Sequence, residues 1–300
     1  MLIRCGLQKC CKDKAPDTSR FMPDTVHSND IFSMRAFLQK HPRVVVITGA
    51  GLSAESGIPT YRDAQGNWLR REPIQHQRFI QELSERQRYW ARSMLGWKLV
   101  SASQANSAHK SLARWEQEGR IELLISQNVD GLHRKAGSNN VLNLHGRLDR
   151  VQCLNCYHIA QREDVQSQLI SDNPELWHYV RHAGIDAGPD GDANVDDWDM
   201  SQVRCPVCPA CGQEALKPDV VFFGGTVPKA RVELAKAAIR KADALLIIGS
   251  SLMVFSGFRF CKYAQEMNKP MAAINLGMTR ADELLDLKLD MDIGEALKAL

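Results

Sequence analysis

Three cysteines stand at intervals of three in CPVCPAC: Cys205, Cys208 and Cys211. A separate pair, Cys153 and Cys156, lies upstream. In a chain of 300 residues, close Cys-x-x-Cys pairs read as a metal site in a reducing compartment, not as the disulfide framework of a small secreted domain. The nine cysteines are odd in number and unevenly placed, with Cys5, Cys10 and Cys11 near the N-terminus and Cys261 alone, which argues the same way. Spacing alone leaves open which two of the later three bind.

A second constellation is VVVITGAGLSA, an apolar run followed by Gly49-x-Gly51-x-x-Ala54. Such a turn lets backbone approach a pyrophosphate at a helix N-terminus. A dehydrogenase would continue through a full helix to a second strand ending in an acid that holds the ribose. Here Gly57 and Pro59 stop the helix after about one turn, and GIPTYRDAQGNW reads as a loop that folds over a cofactor. The expectation is a bound dinucleotide, held otherwise than in a hydride-transfer enzyme. The bland alternative is a tight strand–helix turn with no ligand.

Other polar groups fall at the carboxyl ends of apolar runs, where ligands of open α/β sheets bind. SQNVDGLH places Gln127, Asn128 and Asp130 there, and NLHG places His145. A lone histidine at a strand end is commonly structural, but beside a nucleotide cleft its near-neutral pKa suits a general base. IIGSSL and INLG end two further runs with small hydrogen-bonding residues.

These residues need a scaffold. Apolar runs at Val44–Thr48, 122–126, 141–144, 220–223, 244–249 and 271–275 read as buried parallel strands, and 104–118 and Lys229–Lys241 as intervening helices. The alternation predicts an α/β fold, a Rossmann-like doubly wound parallel sheet. Residues 150–215 break the pattern and are expected to form a small inserted zinc-binding module. That leaves 30–149 and 216–300 as the nucleotide-binding domain, with loop 52–70 and a helical part near 71–103 at the interface. Within the module, Asp190, Asp192 and Asn194 imitate the start of a calcium loop, but Val195 and Ser201 stand where glycine and glutamate are required. Residues 1–29 read as a short solvated arm, with a targeting segment as the alternative. The net charge of +3 permits an anionic ligand but gives no basic stripe for nucleic acid, and no apolar run approaches the roughly 18 residues of a membrane span.

The segments GAGLSAESGIPTYR, SQNVDGLH, NLHG, the paired Cys-x-x-Cys motifs, KPDVVFFG, GSSLMV and INLG occur in the order found in sirtuins, over roughly residues 30–300. RREPIQH, RQRYWAR, PDGD and LKPDVVFFG resemble the class II branch, which holds the animal mitochondrial fourth sirtuin and bacterial relatives.

The resemblance implies an NAD-dependent protein-lysine deacylase that consumes NAD as a substrate and binds one structural Zn2+. Cys153, Cys156, Cys208 and Cys211 would be the ligands, because CPACG ends in a Cys-Gly turn shortly before LKPD, leaving Cys205 spare. The acyl oxygen of an acyl-lysine would displace nicotinamide. His145 would then serve as base for the ribose hydroxyl that attacks the resulting imidate, giving free lysine and O-acyl-ADP-ribose. Asn128 and Asp130, with Gln127, would organise the nicotinamide ribose and amide. Gly49, Ala50, Gly51, Ser53, Glu55, Tyr61 and Arg62 would line the pyrophosphate and mobile loop. Gly249, Ser250, Ser251, Asn275, Leu276 and Gly277 would hold the adenosine half, with Ile293 closing over adenine. The acyl-lysine substrate would lie as an added strand against Val221, Phe222, Phe223 and Gly224, opposite residues 253–256. Gly225 stands where the family often has an acid. Tyr89 and Arg92, three residues apart on a helix, make a candidate carboxylate clamp for acidic acyl groups such as glutaryl, whereas class II also allows long lipoyl-type chains. Two alternatives remain: an NAD-dependent ADP-ribosyltransferase, which only products distinguish, and a non-catalytic zinc-ribbon interaction module, against which His145, Asn128 and Asp130 argue. A monomer is expected, cytoplasmic in a bacterium or in the mitochondrial matrix of a eukaryote.

Overall fold

The computed structural model describes residues 26–27, 31–61, 63, 69, 73–182, 188, 190–191, 193 and 198–300. Almost all of the expected N-terminal arm, with Cys5, Cys10 and Cys11, lies outside the described residues, as do Arg62, Asp192, Asn194 and Val195.

Among the described residues, ten strands fall into two sheets. They are β1 (Val26–His27), β2 (Val44–Thr48), β3 (Ile121–Ser126), β4 (Val141–Asn143), β5 (Gly146–Cys153), β6 (Ile159–Gln161), β7 (Leu216–Val220), β8 (Ala244–Ile248), β9 (Met271–Ile274) and β10 (Leu287–Leu289). The larger sheet is wholly parallel, in the order β1-β10-β9-β8-β2-β3-β4. The smaller is antiparallel, in the order β6-β5-β7. Eleven α-helices are described: α1 (Ile31–Lys40), α2 (Ala50–Ser53), α3 (His76–Gln81), α4 (Leu83–Ala102), α5 (Ser107–Gln117), α6 (Leu132–Lys135), α7 (Arg162–Asp172), α8 (Pro174–His182), α9 (Lys229–Lys241), α10 (Phe255–Glu266) and α11 (Ile293–Ala299).

Strand alternation divides the core of the parallel sheet. Val45, Ile47, Leu245 and Ile247 pack with Ala235 and Ile239 of α9 and with Phe260 of α10. Val44, Val46, Leu246 and Ile248 face the other way, onto Met34 of α1, Leu112 and Trp115 of α5 and Leu297 of α11. Both faces are covered, which is why these strands read as continuous apolar runs. A third apolar cluster joins Phe79, Tyr89 and Trp90 of α3 and α4 to Leu148 and Val151 of β5, Leu169 of α7 and Leu216 of β7.

One expected strand is corrected. The run 220–223 is no parallel strand: β7 ends at Val220, and its partner is β5, with Gly146 opposite Val220. The run is apolar because it has two contacts to satisfy. Phe222 packs on Phe79 and Tyr89, while residues 220–225 also form one wall of a cavity.

Candidate active site and metal centre

The strap that follows β7 is fixed on both sides by backbone. Val221 N–H donates to the His145 carbonyl at 2.8 Å, and His76 N–H donates to the Phe223 carbonyl at 2.8 Å. His145 is the second of the two residues, Leu144 and His145, that separate β4, which ends at Asn143, from β5, which starts at Gly146. At Gly146 the backbone takes φ +90°, and a Cβ there would lie 1.9 Å from the Asp219 carbonyl oxygen. Only glycine lets β5 cross β7 directly after the histidine.

The His145 ring accepts no ambiguity of tautomer. Nδ1 lies 2.8 Å from the Gln127 carbonyl oxygen, which can only accept, so Nδ1 carries the proton. Nε2 is left as the basic nitrogen and accepts from the Ser256 hydroxyl at 2.7 Å. Burial of the ring, with Arg231 and Arg259 nearby, holds the imidazole pKa below 6.5 against the raising effect of the Gln127 carbonyl. The base is therefore neutral at neutral pH.

Beside it a polar chain converges from three loops. Asn128 donates from Nδ2 to the Gly49 carbonyl and to Ser53 Oγ, each at 2.9 Å. Ser53 Oγ in turn donates to Asp130 at 2.8 Å, and Leu132 N–H donates to the other carboxylate oxygen at 2.8 Å. Burial raises the Asp130 pKa, and these two bonds oppose it. Gln127 Nε2 donates to Ser250 Oγ at 2.8 Å, tying the loop after β3 to the loop after β8. A Cβ at Gly49 would come within 2.7 Å of the Ser250 side chain, so the approach of those loops requires glycine. α2 has one turn, a 3-10 turn over Ala54–Ser56 follows, and Gly57 ends it at φ +80°.

These groups line one cavity of ≈ 670 Å3. Of the residues expected to bind cofactor, Gly49, Ala50, Gly51, Ser53, Glu55, Tyr61, Gln127, Asn128, Asp130, Gly249, Ser250, Ser251, Asn275, Leu276 and Ile293 line it, as do His145 and the strap Val221, Phe222, Phe223 and Gly224. Gly277 stands behind the wall, its N–H donating to Asp290 at 3.1 Å. The hydroxyls of Ser53, Ser250 and Ser251, the amide of Asn275 and the carboxylate of Glu55 suit the sugar hydroxyls of a dinucleotide, so the lining fits one.

Tyr89 and Arg92 are not brought to this cavity. They line a separate hollow of ≈ 10 Å3 with Ile74, Glu85 and Arg88. Arg92 Nε donates to the Ala193 carbonyl at 2.9 Å, and the Tyr89 ring packs against Phe79, Trp90 and Phe222. Phe222 stands between the two spaces. Sequence reasoning missed Ser256 as the partner of His145 and Arg259 as a lining residue; both follow GSSLMV on a stretch that carries no motif of its own.

At the end of β5, four sulfurs gather. The Sγ atoms of Cys153, Cys156, Cys208 and Cys211 all lie within 4.8 Å of one another, with Cys153 to Cys211 at 3.7 Å and Cys156 to Cys208 at 3.6 Å. A tetrahedron with Zn–S bonds of about 2.3 Å has edges of about 3.8 Å, so the quartet fits structural zinc. Two tight turns shape it: Tyr157 N–H donates to the Cys153 carbonyl at 3.0 Å, and Gly212 N–H to the Cys208 carbonyl at 2.8 Å. Cys205 is buried in the neighbouring apolar cluster and, among the described residues, belongs to no such group.

A parallel α/β sheet with a polar cavity at its strand ends, joined to an antiparallel sheet that carries a closed four-thiolate centre, defines a class of nucleotide-binding protein with a structural zinc knuckle. The comparisons make the family specific. The Sir2 family profile matches residues 49–256. An NAD-dependent protein deacetylase of Xanthomonas axonopodis pv. citri (strain 306) is 49% identical over 92% of this chain and 92% of its own length. One of Bordetella bronchiseptica is 49% identical over 90% of this chain and 96% of its own. Among solved structures, one described as "Structural Basis for the Mechanism and Regulation of Sir2 Enzymes" superposes with a TM-score of 0.68 at 29% identity, covering 90% of this chain and 96% of that one. "Sir2-p53 peptide-NAD+" also gives 0.68, at 26% identity and the same coverage. The chain belongs to the Sir2 family.

Proposed function

We propose that this protein is an NAD-dependent protein-lysine deacylase. The observation that carries the reading is that His145, Asn128 and Asp130 share one cavity with a backbone strap at residues 221–224. NAD is a substrate in this reading: it supplies the ribose carbon from which the acyl oxygen displaces nicotinamide. Nε2 of His145 takes the proton of the ribose hydroxyl that then attacks the acyl carbon. Asn128 and Ser53 hold Asp130 in place beside the ribose, and the loops after β2, β8 and β9 hold the adenosine half. The strap receives the acylated peptide as an extended segment through its remaining backbone groups. The solved relatives described as "Sir2-p53 peptide-NAD+" and "Sir2 bound to acetylated peptide" support a peptide substrate.

The four-cysteine centre holds zinc in a structural role, since four thiolates leave no open position. The nucleotide-binding unit is built on the parallel sheet, and the zinc module on the antiparallel sheet of β5, β6 and β7, which moves its limits from the expected 150–215 out to about 146–220, with α3 and α4 packed on that module. The bacterial sources of the relatives support a cytoplasmic location.

The test is mass spectrometry of an acetyl-lysine peptide incubated with NAD. Free lysine peptide, nicotinamide and O-acetyl-ADP-ribose are expected in equal amounts. ADP-ribose attached to protein, with the acetyl group retained, would instead favour the transferase reading.

A further inference from the structure

Among the described residues lining the catalytic cavity, Arg259 is the single lysine or arginine. It lies on α10, one turn beyond Ser256, whose hydroxyl touches the base. Its surroundings do not neutralise it. No carboxylate lies within ion-pair distance of it among the described residues, and its Nε is buried with no hydrogen-bond partner among them. The carboxylates that line the cavity, Glu55, Asp63, Asp130 and Asp292, stand on the loop after β2, the turn after β3 and the residue before α11, and none pairs with it. What touches Arg259 is an aromatic face: its guanidinium carbon lies 5.4 Å from the centre of the Phe255 ring, which is 51% exposed at the mouth. Arg280 lies 5.9 Å from the same ring and 4.7 Å from that of Phe258, and donates to the Met253 carbonyl at 3.2 Å. A half-buried guanidinium stacked on a ring is pre-oriented, and it keeps its fork of donors for something else. The substrate side of the cavity thus carries unneutralised positive charge beside the reacting centre.

Resting on the deacylase reading, we propose that Arg259 is a specificity-determining residue that recognises a carboxylate on the acylated substrate. Two sources present that chemistry at the mouth: an acidic side chain flanking the acyl-lysine, or a carboxylate at the end of the acyl chain. A bidentate guanidinium–carboxylate pair in a partly dehydrated site is worth about tenfold in affinity, between the values of exposed and buried charge-assisted pairs.

The experiment uses fluorescein-labelled peptides in two arms. One compares acetyl-lysine flanked by aspartates with acetyl-lysine flanked by alanines. The other compares glutaryl-lysine with pentanoyl-lysine, both flanked by alanines. Kd is measured by fluorescence polarisation without NAD, and kcat/KM with it, for the wild type, Arg259→Met and Arg259→Lys. The expected result is a preference of about tenfold for the acidic member of one arm, which identifies the source. It should collapse towards one in Arg259→Met and survive in part in Arg259→Lys. No preference in either arm, or one that persists in Arg259→Met, overturns the proposal. So does a rise in the KM for NAD that is equal for every peptide, which would assign Arg259 to the pyrophosphate. Because Kd needs no chemistry, a wild type that shows the preference but turns over no peptide refutes the deacylase reading and leaves this one standing.

Discussion

Ser256 Oγ lies 2.7 Å from Nε2 of His145 and covers the one lone pair that the imidazole offers to the cavity. The other ring nitrogen is committed to the Gln127 carbonyl, so the serine orients the ring from the working side. Two variants separate orientation from proton transfer. His145→Ala should stay folded and zinc-loaded while kcat/KM drops by ~10²–10⁴, the range for a lost general base. Ser256→Ala should fall less than about tenfold, with an unchanged melting temperature. Near-normal turnover in His145→Ala removes the base assignment, and a Ser256→Ala loss as deep as that of His145→Ala makes the serine a proton relay.

The pH profile follows from the same ring. The base works when neutral, and burial together with Arg231 and Arg259 lowers its pKa from 6.5. Activity should therefore rise with pH through a midpoint below 6.5 and be flat above it. A kcat/KM profile with its acid limb at or above 6.5 would contradict the geometry.

The sulfur quartet predicts unequal cysteines. Cys153→Ser, Cys156→Ser, Cys208→Ser and Cys211→Ser should each lose zinc and fold poorly, since structural zinc contributes directly to folding. Cys205→Ala should keep its zinc and lose only about 1 kcal/mol for a small truncation inside the cluster. Metal analysis of the five purified variants decides it, and zinc loss confined to Cys205→Ala would reverse the pairing.

Arg92 is buried and bonded to the Ala193 carbonyl. Replacing it with methionine should cost about 1–3 kcal/mol of stability. Turnover of acetyl-, glutaryl- and lipoyl-lysine peptides should fall by one common factor. A loss confined to the glutaryl peptide would return Arg92 to the acyl group.

Two buried histidines set the acid limit of the fold. The rings of His109 and His133 lie 4.9 Å apart behind the glycine-rich loop. His109 bonds Asn106 at 2.8 Å and His133 bonds Thr48 at 2.8 Å. Burial lowers the His109 pKa to about 4 and that of His133 well below 6.5. The unfolded chain therefore binds protons that the native chain refuses, and stability must fall with pH once it drops below about 6.5. These two groups together contribute up to about 2.7 kcal/mol per pH unit to the slope. Denaturant unfolding at pH 7 and pH 5.5, with zinc retention followed in parallel, should show the fall before any metal is released. Equal stability at the two values would refute it.

Much of this was legible in the sequence. The parallel strands appeared as apolar runs because both faces of that sheet are covered, and Lys229–Lys241 matches its helix end to end. Gly57 and Pro59 announced the short α2. The strands of the zinc sheet were hidden, because β5 alternates buried and half-exposed residues through charged side chains such as Arg147, Asp149 and Arg150. The run 220–223 misled for the opposite reason: an apolar segment was read as a buried strand when its residues line a cavity. The Tyr89–Arg92 pair shows the limit of spacing arguments. Helical periodicity places both residues on one face of α4 but does not say what that face meets, and here it meets Phe222 and Ala193.

The base and the metal are joined by one strand. β5 begins at the residue after His145 and ends at Cys153, a strand of eight residues, about 26 Å long if fully extended, paired with β7 at Gly146 and Val151–Cys153 and with β6 at Arg150–Gln152. Its far end is anchored by four sulfurs and its near end carries the imidazole. Stripping the metal would free the end of the same strand whose start follows the base, so chelation is expected to lower turnover even though four sulfurs leave the metal no open position for substrate.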